Sequence, residues 1–272
     1  MTRIWPPDTP LWMASMHGKH RACSLAFIRG LRLSPKPLLG IDTDRLGTFC
    51  GEVPRLGTAQ QVVLEKARLA LQHPRESHLA LASEGSFSPH PDCPWVSVHS
   101  EYLVFLDGNS GKSWLEVGRS YRTNFAERLV QNLEQQREFA RTAGFPGHHL
   151  MVKVGEGNWL KGIRYWKDLP DTFPQLLATD MRAHCNPTRQ QLIRRLSWKL
   201  VIRLQTNCVR CDRPGFGGVE NRTGLPCSHC GCPTAWIGST IWRCEWCDHS
   251  EERARSDGLR LANPCHCEVC NP

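Results

Sequence analysis

Leu79 to Pro91 reads LALASEGSFSPHP, an apolar run that passes directly into a carboxylate, a glycine and two prolines around a histidine. The run Leu79 to Ser83 predicts a buried β-strand. Working residues of open α/β sheets gather at the carboxyl ends of strands, and Glu84 stands at this one. EGSFSPH is therefore expected to be a stiff loop. In it Glu84 faces a cleft, Gly85 opens space for a ligand, and Pro89 and Pro91 fix the backbone.

The segments on either side alternate in kind. Leu11 to Ser15 (LWMAS) predicts a short strand, followed by MHGKH and a helix around Ala22 to Leu31. Thr58 with Gln61 three residues on is a capping-box pattern leading into VVLEKARLAL. Val96 to Asp107 and Trp114 to Tyr121 read as a hairpin around GNSGK. Asn124 with Glu127 suggests a cap for a helix whose Phe125, Leu129 and Leu133 share a face and whose stop is Gly144. His149 to Val154 returns to strand. Asn186-Pro187 announces a last helix, along which Leu192, Leu196, Leu200 and Leu204 recur every fourth residue. Alternation with one hairpin predicts an α/β domain, a mixed sheet flanked by helices.

Cysteine density marks the second part. Of 14 cysteines, ten fall between Cys208 and Cys270, which sets the expected domains at 1–206 and 207–272. Four C-x-x-C knuckles (Cys208 with Cys211, Cys227 with Cys230, Cys244 with Cys247, Cys267 with Cys270) supply the eight thiolates that two tetrahedral structural zinc ions need. LPCSHCGCPTAWIGSTIWRCEWC resembles a zinc ribbon, so the expectation is a small double zinc ribbon. One pairing is nested, Cys227 and Cys230 with Cys244 and Cys247 inside a site closed by the outer knuckles; the alternative is sequential. Cys232 and Cys265 are spare, and His229, His249 and His266 are read as loop histidines. Trp236, Trp242 and Trp246 are expected to cover the zinc hairpin.

The chain carries a formal charge of +8, but two zinc ions on eight thiolates remove about four charges, which weakens an argument for nucleic acid. No apolar stretch is long enough to span a bilayer. The first residues lack the apolar core of a secretory signal, so the expected location is cytoplasmic. C-x-x-C pairs in such a compartment point to metal rather than disulfides.

Three polar constellations carry the functional reading. Gly18-Lys19 at a helix start suits a phosphate, through backbone N–H groups, the helix dipole and an ammonium. Glu84, with Asp42, Asp44 and Glu52, offers oxygen ligands for Mg²⁺ or a general base. TDMRAHCNPTRQ (Thr179 to Gln190) crowds Asp180, Arg182, His184 and Arg189 at a helix entrance, where arginine clamps phosphate and histidine moves a proton. Arg194, Arg195, Lys199 and Arg203 on the last helix read as a wet face that would alternatively track a nucleic acid backbone.

HGK, DTDRLGTFCGE, ASEGSFSPHP, TDMRAHCNPTR and the terminal CNP together resemble the bacterial family catalogued as domain of unknown function 6671, across nearly the whole chain. That resemblance implies no activity. In order of motifs the chain is also similar to the inosine and xanthosine triphosphate pyrophosphatases, with Ser15 and Lys19 in the first loop, Lys66-Ala67 in the second helix, Glu84-Gly85 after a strand, and Arg182, His184 and Arg189 before a late helix. This second resemblance implies a Mg²⁺-dependent phosphoanhydride hydrolase acting on a nucleotide-like, small phosphorylated ligand. In that reading Lys19, Arg182 and Arg189 hold phosphates, and Glu84, Asp42, Asp44 and His184 are catalytic. The alternative is a non-enzymatic zinc-ribbon adaptor that binds nucleic acid or a protein, with a ligand-sensing α/β domain. Substrate and oligomeric state stay open.

Overall fold

A computed structural model describes residues 4–15, 17–38, 40, 54, 57–72, 78–90, 93–155 and 158–272. The chain forms two compact units, Met1–Val201 and Ile202–Pro272.

The first unit begins with β1 (Leu11–Ala14), α1 (Lys19–Leu31) and β2 (Pro35–Leu38), a crossover that makes β1 and β2 parallel neighbours. α2 (Ala59–Leu71) then leads to β3 (Leu79–His90), β4 (Cys93–Asp107) and β5 (Lys112–Ser120). These strands form a mixed five-stranded sheet in the order β2-β1-β3-β4-β5, parallel across β1 and antiparallel from β3 onward. α2 starts where its capping box predicts: the Thr58 hydroxyl accepts from the Gln61 N–H, and Gln61 Oε1 accepts from the Thr58 N–H.

Period-two alternation along β3 and β4 sorts their residues between two faces. Ala80 and Ala82, with Val104 and Leu106, pack against Val63, Ala67 and Ala70 of α2. Leu79, Leu81, Ser83 and Gly85 point the other way. On that second face the Phe27 ring of α1 stacks on Phe105 with centroids 6.2 Å apart, and Trp5 meets Phe105 and Trp114 edge-on. The first turns of α4 (Pro187–Gln205) lie there too, Leu192 and Leu196 meeting Gly118 of β5, and Leu192, Leu196, Leu200 and Leu204 are all buried as their spacing predicts.

Two local expectations are corrected. EGSFSPH is strand rather than loop: β3 continues to His90, and Ser83 to Pro89 pair in register with Leu103 to Ser97 of β4. Pairing with β1 stops at Leu81, so from Ala82 onward β3 is bonded through β4, and Pro89 is tolerated as prolines on sheet edges are. Second, Glu127–Val130 is a strand, β6, and not the first turn of a helix. The helix there is α3 (Leu133–Ala143), capped by Asn132, whose Oδ1 accepts from the Gln135 N–H at 3.0 Å. Gly144, at φ 83°, ends it as predicted.

A four-stranded antiparallel sheet, not foreseen as a separate layer, completes the first unit. β7 (Leu150–Val154), β8 (Asn158–Ile163) and β9 (Gln175–Thr179) join β6 in the order β6-β9-β7-β8. Phe139, Ala140 and Ala143 of α3 cover Val130, Leu150, Val152 and Leu177.

The second unit is a three-stranded antiparallel meander of β10 (Gly217–Thr223), β11 (Ile237–Arg243) and β12 (Ser250–Ala254). Cysteine knuckles precede, separate and follow its strands.

Gly118 of β5 lets α4 approach the first sheet, since a Cβ there would stand 2.9 Å from Leu196 Cδ2. Gly118→Val should therefore lower the unfolding free energy of the first unit by about 1–3 kcal/mol through overpacking. In urea titration the midpoint should move and the slope stay constant.

Candidate functional site

The polar side chains of the first unit gather where β1 stops short. Because β1 pairs with β3 only to Leu81, the sheet is open beside Ser83 among the described residues. Lys19, the first residue of α1, enters that opening. Its Nζ donates to the Ser83 carbonyl at 2.6 Å and lies 3.6 Å from Glu101 Oε1.

Glu101, on β4, is the hub. Its side chain has no exposure, and it accepts from the Ser83 hydroxyl, from Arg189 Nε at 3.0 Å and from Arg189 Nη2 at 3.3 Å, with His99 Nε2 2.9 Å away. Arg189 also donates from Nη1 to the Met181 carbonyl at 2.7 Å. Gly85 makes room for this, because a Cβ there would stand 2.3 Å from Arg189 Nη2 and 2.8 Å from Glu101 Oε2. Beyond it the Phe87 ring stacks on His99 at 4.3 Å, with the Arg189 guanidinium 5.6 Å from its centroid.

The segment after β9 brings the second half of the cluster. Asp180 is buried and takes a forked ion pair from Arg182, with Nη2 2.6 Å from Oδ2, while the Arg182 N–H donates to Oδ1 at 3.0 Å. The Gly162 N–H donates to Oδ2 from β8 at 3.0 Å. Asn186 caps α4 by accepting from the Arg189 N–H at 3.0 Å, as its place before Pro187 predicts. His184 is exposed, and its ring stacks on half-buried His17 at 5.4 Å. A Cβ on Gly18 would lie 3.9 Å from that of His184.

Burial and positive neighbours set the protonation states. Burial, then Lys19, His184, Arg182 and Arg189, push His17 down to about 3. His184 is lowered by burial and by Arg182, and burial lowers His99 in spite of its bond to Glu101. Burial and the Arg189 charge bring Lys19 down to about 8. Burial alone would raise the Glu101 carboxyl, but Arg189, Lys19 and His99 together outweigh it and hold it well below the ordinary range. The result is two layers: a buried one of Lys19, Glu101 and Arg189, and an accessible one of His17, Gly18, Arg182 and His184.

Of the residues singled out from sequence, Lys19, Arg182, His184 and Arg189 come together around His17. Glu84 does not join them on the α1 and α4 face. Its carboxylate turns toward α2 and pairs with Lys66 at 2.7 Å. Asp42 and Asp44, like Glu52, lie outside the described residues. His17, His99 and Glu101 were missed. The signal for the last two was present in VHSEYLVFLD, where polar His99 and Glu101 continue the alternation that buries Leu103 and Phe105.

This donor set does not suit Mg²⁺, which wants oxygen ligands of its own. Glu84, Glu101 and Asp180 are each already in an ion pair. Among the described residues the clusters of metal-ligand type are two cysteine tetrads.

Those tetrads contain all eight knuckle cysteines, but neither the nested nor the sequential pairing is right. Cys208, Cys211, Cys244 and Cys247 form one group, and Cys227, Cys230, Cys267 and Cys270 the other. The meander dictates this interleaving, since each strand carries the chain from one end of the sheet to the other and alternate knuckles meet. Sulfur separations of 3.6 and 3.8 Å in the first group and 3.5 and 3.8 Å in the second match the ~3.8 Å edge of a tetrahedron with Zn–S bonds of ~2.3 Å. Backbone N–H groups of Arg210, His229 and Trp246 point at ligand sulfurs, each at 3.4 Å. Trp242 and Trp246 pack with Phe216 beside the first group, and Trp236 lies against His266.

Residues 66–272 match a family model described as Domain of unknown function (DUF6671). The chain belongs to this family. No curated protein matches it. The DUF6671 span takes in Glu101, Arg182, Arg189 and both tetrads, whereas His17 and Lys19 precede it.

Metal analysis of purified variants tests the interleaving. Cys208→Ser should lower the content from two zinc ions to one, and adding Cys244→Ser should leave that one. Cys208→Ser with Cys227→Ser should leave none, a result sequential pairing forbids. For the polar cluster, Glu101→Gln leaves Arg189 buried beside a neutral group and should cost about 3–5 kcal/mol in urea unfolding.

The cluster also sets the acid limit of the fold. Folded His17 binds its proton near pH 3 rather than 6.5, so the unfolded chain holds more protons between those values and stability rises with pH there. Depressed Glu101 acts in the same sense, its contribution being complete above its ordinary 4.5 and lost as pH falls through its folded value. The melting temperature should drop on acidification from neutral pH, and His17→Asn should flatten the stretch between 6.5 and 4.5.

Proposed function

We propose that the first unit binds a small phosphorylated molecule at the carboxyl end of β1 and hydrolyses its phosphoanhydride bond, while the second unit is a zinc-held module of structural role. The observation that carries this reading is the convergence of Lys19, Arg182 and Arg189 with two neutral histidines, His17 and His184, at one strand end. Three cations, Lys19, Arg182 and Arg189, stand there against the two carboxylates of Glu101 and Asp180, a local excess of positive charge suited to an anion. The α1 N-terminus adds its dipole, and its first turn has no side-chain cap.

Roles follow from the two layers. Arg182 and the N–H groups after Gly18 are placed to touch phosphate oxygens, and buried Lys19 and Arg189 supply the field that favours charge gathering on them. Water attacks phosphorus, the bridging P–O bond breaks, and exposed, neutral His184 takes the proton released by the water. Glu84, paired with Lys66, buttresses Lys19 from the α2 side.

The charge distribution supports placing the anion here. Residues 202–272 hold eight arginines, no lysine and eight carboxylates, so the whole formal excess of +8 belongs to the first 201 residues. With two zinc ions on eight thiolates the second unit carries about −4. A nucleic acid partner for the zinc module or α4 receives less support, because Lys199 pairs with Glu116 at 2.8 Å and Arg203 with Glu245 at 2.9 Å.

The test is a panel of nucleoside di- and triphosphates, assayed for phosphate or pyrophosphate release with and without Mg²⁺. Wild type should release product from at least one member, and His184→Asn and Lys19→Met should each lower kcat/KM by about 100-fold. No release, together with no saturable binding of inorganic pyrophosphate by calorimetry, would sink the proposal.

A further inference from the structure

The two tetrads are built alike and surrounded differently. Around the first, Cys208 and Cys244 are buried with Phe216, and Trp242 and Trp246 pack against them. In the second, Cys230 is exposed. Two cysteines outside both tetrads flank this same one in sequence: half-buried Cys232, two residues after Cys230, and exposed Cys265, two residues before Cys267. Both surplus thiols of the second unit therefore stand beside one metal position.

Backbone hydrogen bonds keep Cys232 at the knuckle. The Cys227 N–H donates to the Cys232 carbonyl at 2.8 Å, and the Gly231 N–H donates to the Cys227 carbonyl at 2.9 Å. Gly231, at φ 74°, makes the tight reversal between Cys230 and Cys232. Cys265 neighbours Cys267, a ligand that is only 1% exposed, so an oxidant from solvent reaches the Cys230 end first. Susceptibility to oxidation follows exposure and thiolate character, and a nearby second thiol converts the first oxidation product into a disulfide.

We propose that the second tetrad is a site of reversible thiol oxidation, at which a hydroperoxide converts Cys230 and Cys232 to a disulfide and releases the zinc. The Cys230 thiolate attacks one peroxide oxygen, the O–O bond breaks, the departing oxygen takes a proton from water, and sulfur is left as a sulfenic acid. The Cys232 thiol attacks that sulfur, the S–S bond forms, the S–O bond breaks, and the hydroxyl leaves as water with the thiol proton. Two electrons pass from the sulfurs to the peroxide. Zinc, left with three protein ligands, dissociates as those thiolates gain protons. A thiol reductant reverses the step by exchange. The first tetrad, covered by Phe216 and two tryptophans, is spared.

This inference rests on zinc occupying both tetrads, so the full-length protein is first analysed for metal, which separates an unloaded site from an unreactive one. Zinc-loaded protein is then treated with hydrogen peroxide, release is followed with a chelating dye, and disulfides are mapped by mass spectrometry. Wild type should release one zinc ion per chain in a fast phase and form the Cys230–Cys232 bond. Cys232→Ser should still hold two ions and lose the fast phase by about tenfold in rate, and Cys265→Ser should behave as wild type. Simultaneous loss of both ions from wild type, an unchanged fast phase in Cys232→Ser, or a disulfide that excludes Cys232 would each overturn the proposal.

Discussion

A carboxylate sealed from water is costly unless its charge is answered on the spot, and Glu101 is answered by Arg189, Lys19, His99 and Ser83 together. Several features of the first unit follow from that requirement. Arg189 reaches Glu101 from the first turn of α4, so the direction of that helix is fixed where its leucine stripe meets the sheet. Lys19 reaches it from the first turn of α1, which ties the short strand β1 to the long hairpin of β3 and β4. Burial, with Lys19 and Arg189 among the neighbouring charges, keeps His17 neutral, and burial with Arg182 does the same for His184. The buried ion cluster is the anchor for the accessible groups above it.

What the sequence disclosed here was mostly local. Thr58 and Asn186 declared helix starts through the side chains that cap them, and the GNSGK turn declared the β4–β5 hairpin. All eight cysteines of the two tetrads were legible because their spacing is itself the chemistry of a metal site. What stayed hidden depended on partners distant in the chain. Glu84 attracted notice as an acid at a strand end, yet the strand continues because β4 runs alongside it for its whole length. Glu101 sits 82 residues from Lys19 and 88 from Arg189, and a single polar residue on a strand does not name its counter-ions. β6 was obscured because Phe125, Leu129 and Leu133 happen to fall at helical spacing, although Asn132 with Gln135 offered the better cap.

Glycine placement at the cluster shows how sequence limits chemistry. At Gly85 the missing side chain is occupied space, filled by the Arg189 guanidinium and the Glu101 carboxylate. The loop-opening role first expected for this residue becomes a packing role for a charged pair. It still serves the site, since without that space Arg189 has no route to Glu101.

Interleaving in the zinc module has a consequence for how the metals are taken up. The segment closed by the first tetrad, Cys208 to Cys247, contains the knuckle at Cys227 and Cys230, and the segment closed by the second, Cys227 to Cys270, contains the knuckle at Cys244 and Cys247. Whichever ion binds first shortens the free chain that the other must close, and so lowers the entropy lost in the second closure. Filling one tetrad would therefore ease the filling of the other although they share no ligand, while each keeps its own four sulfurs and can hold an ion alone.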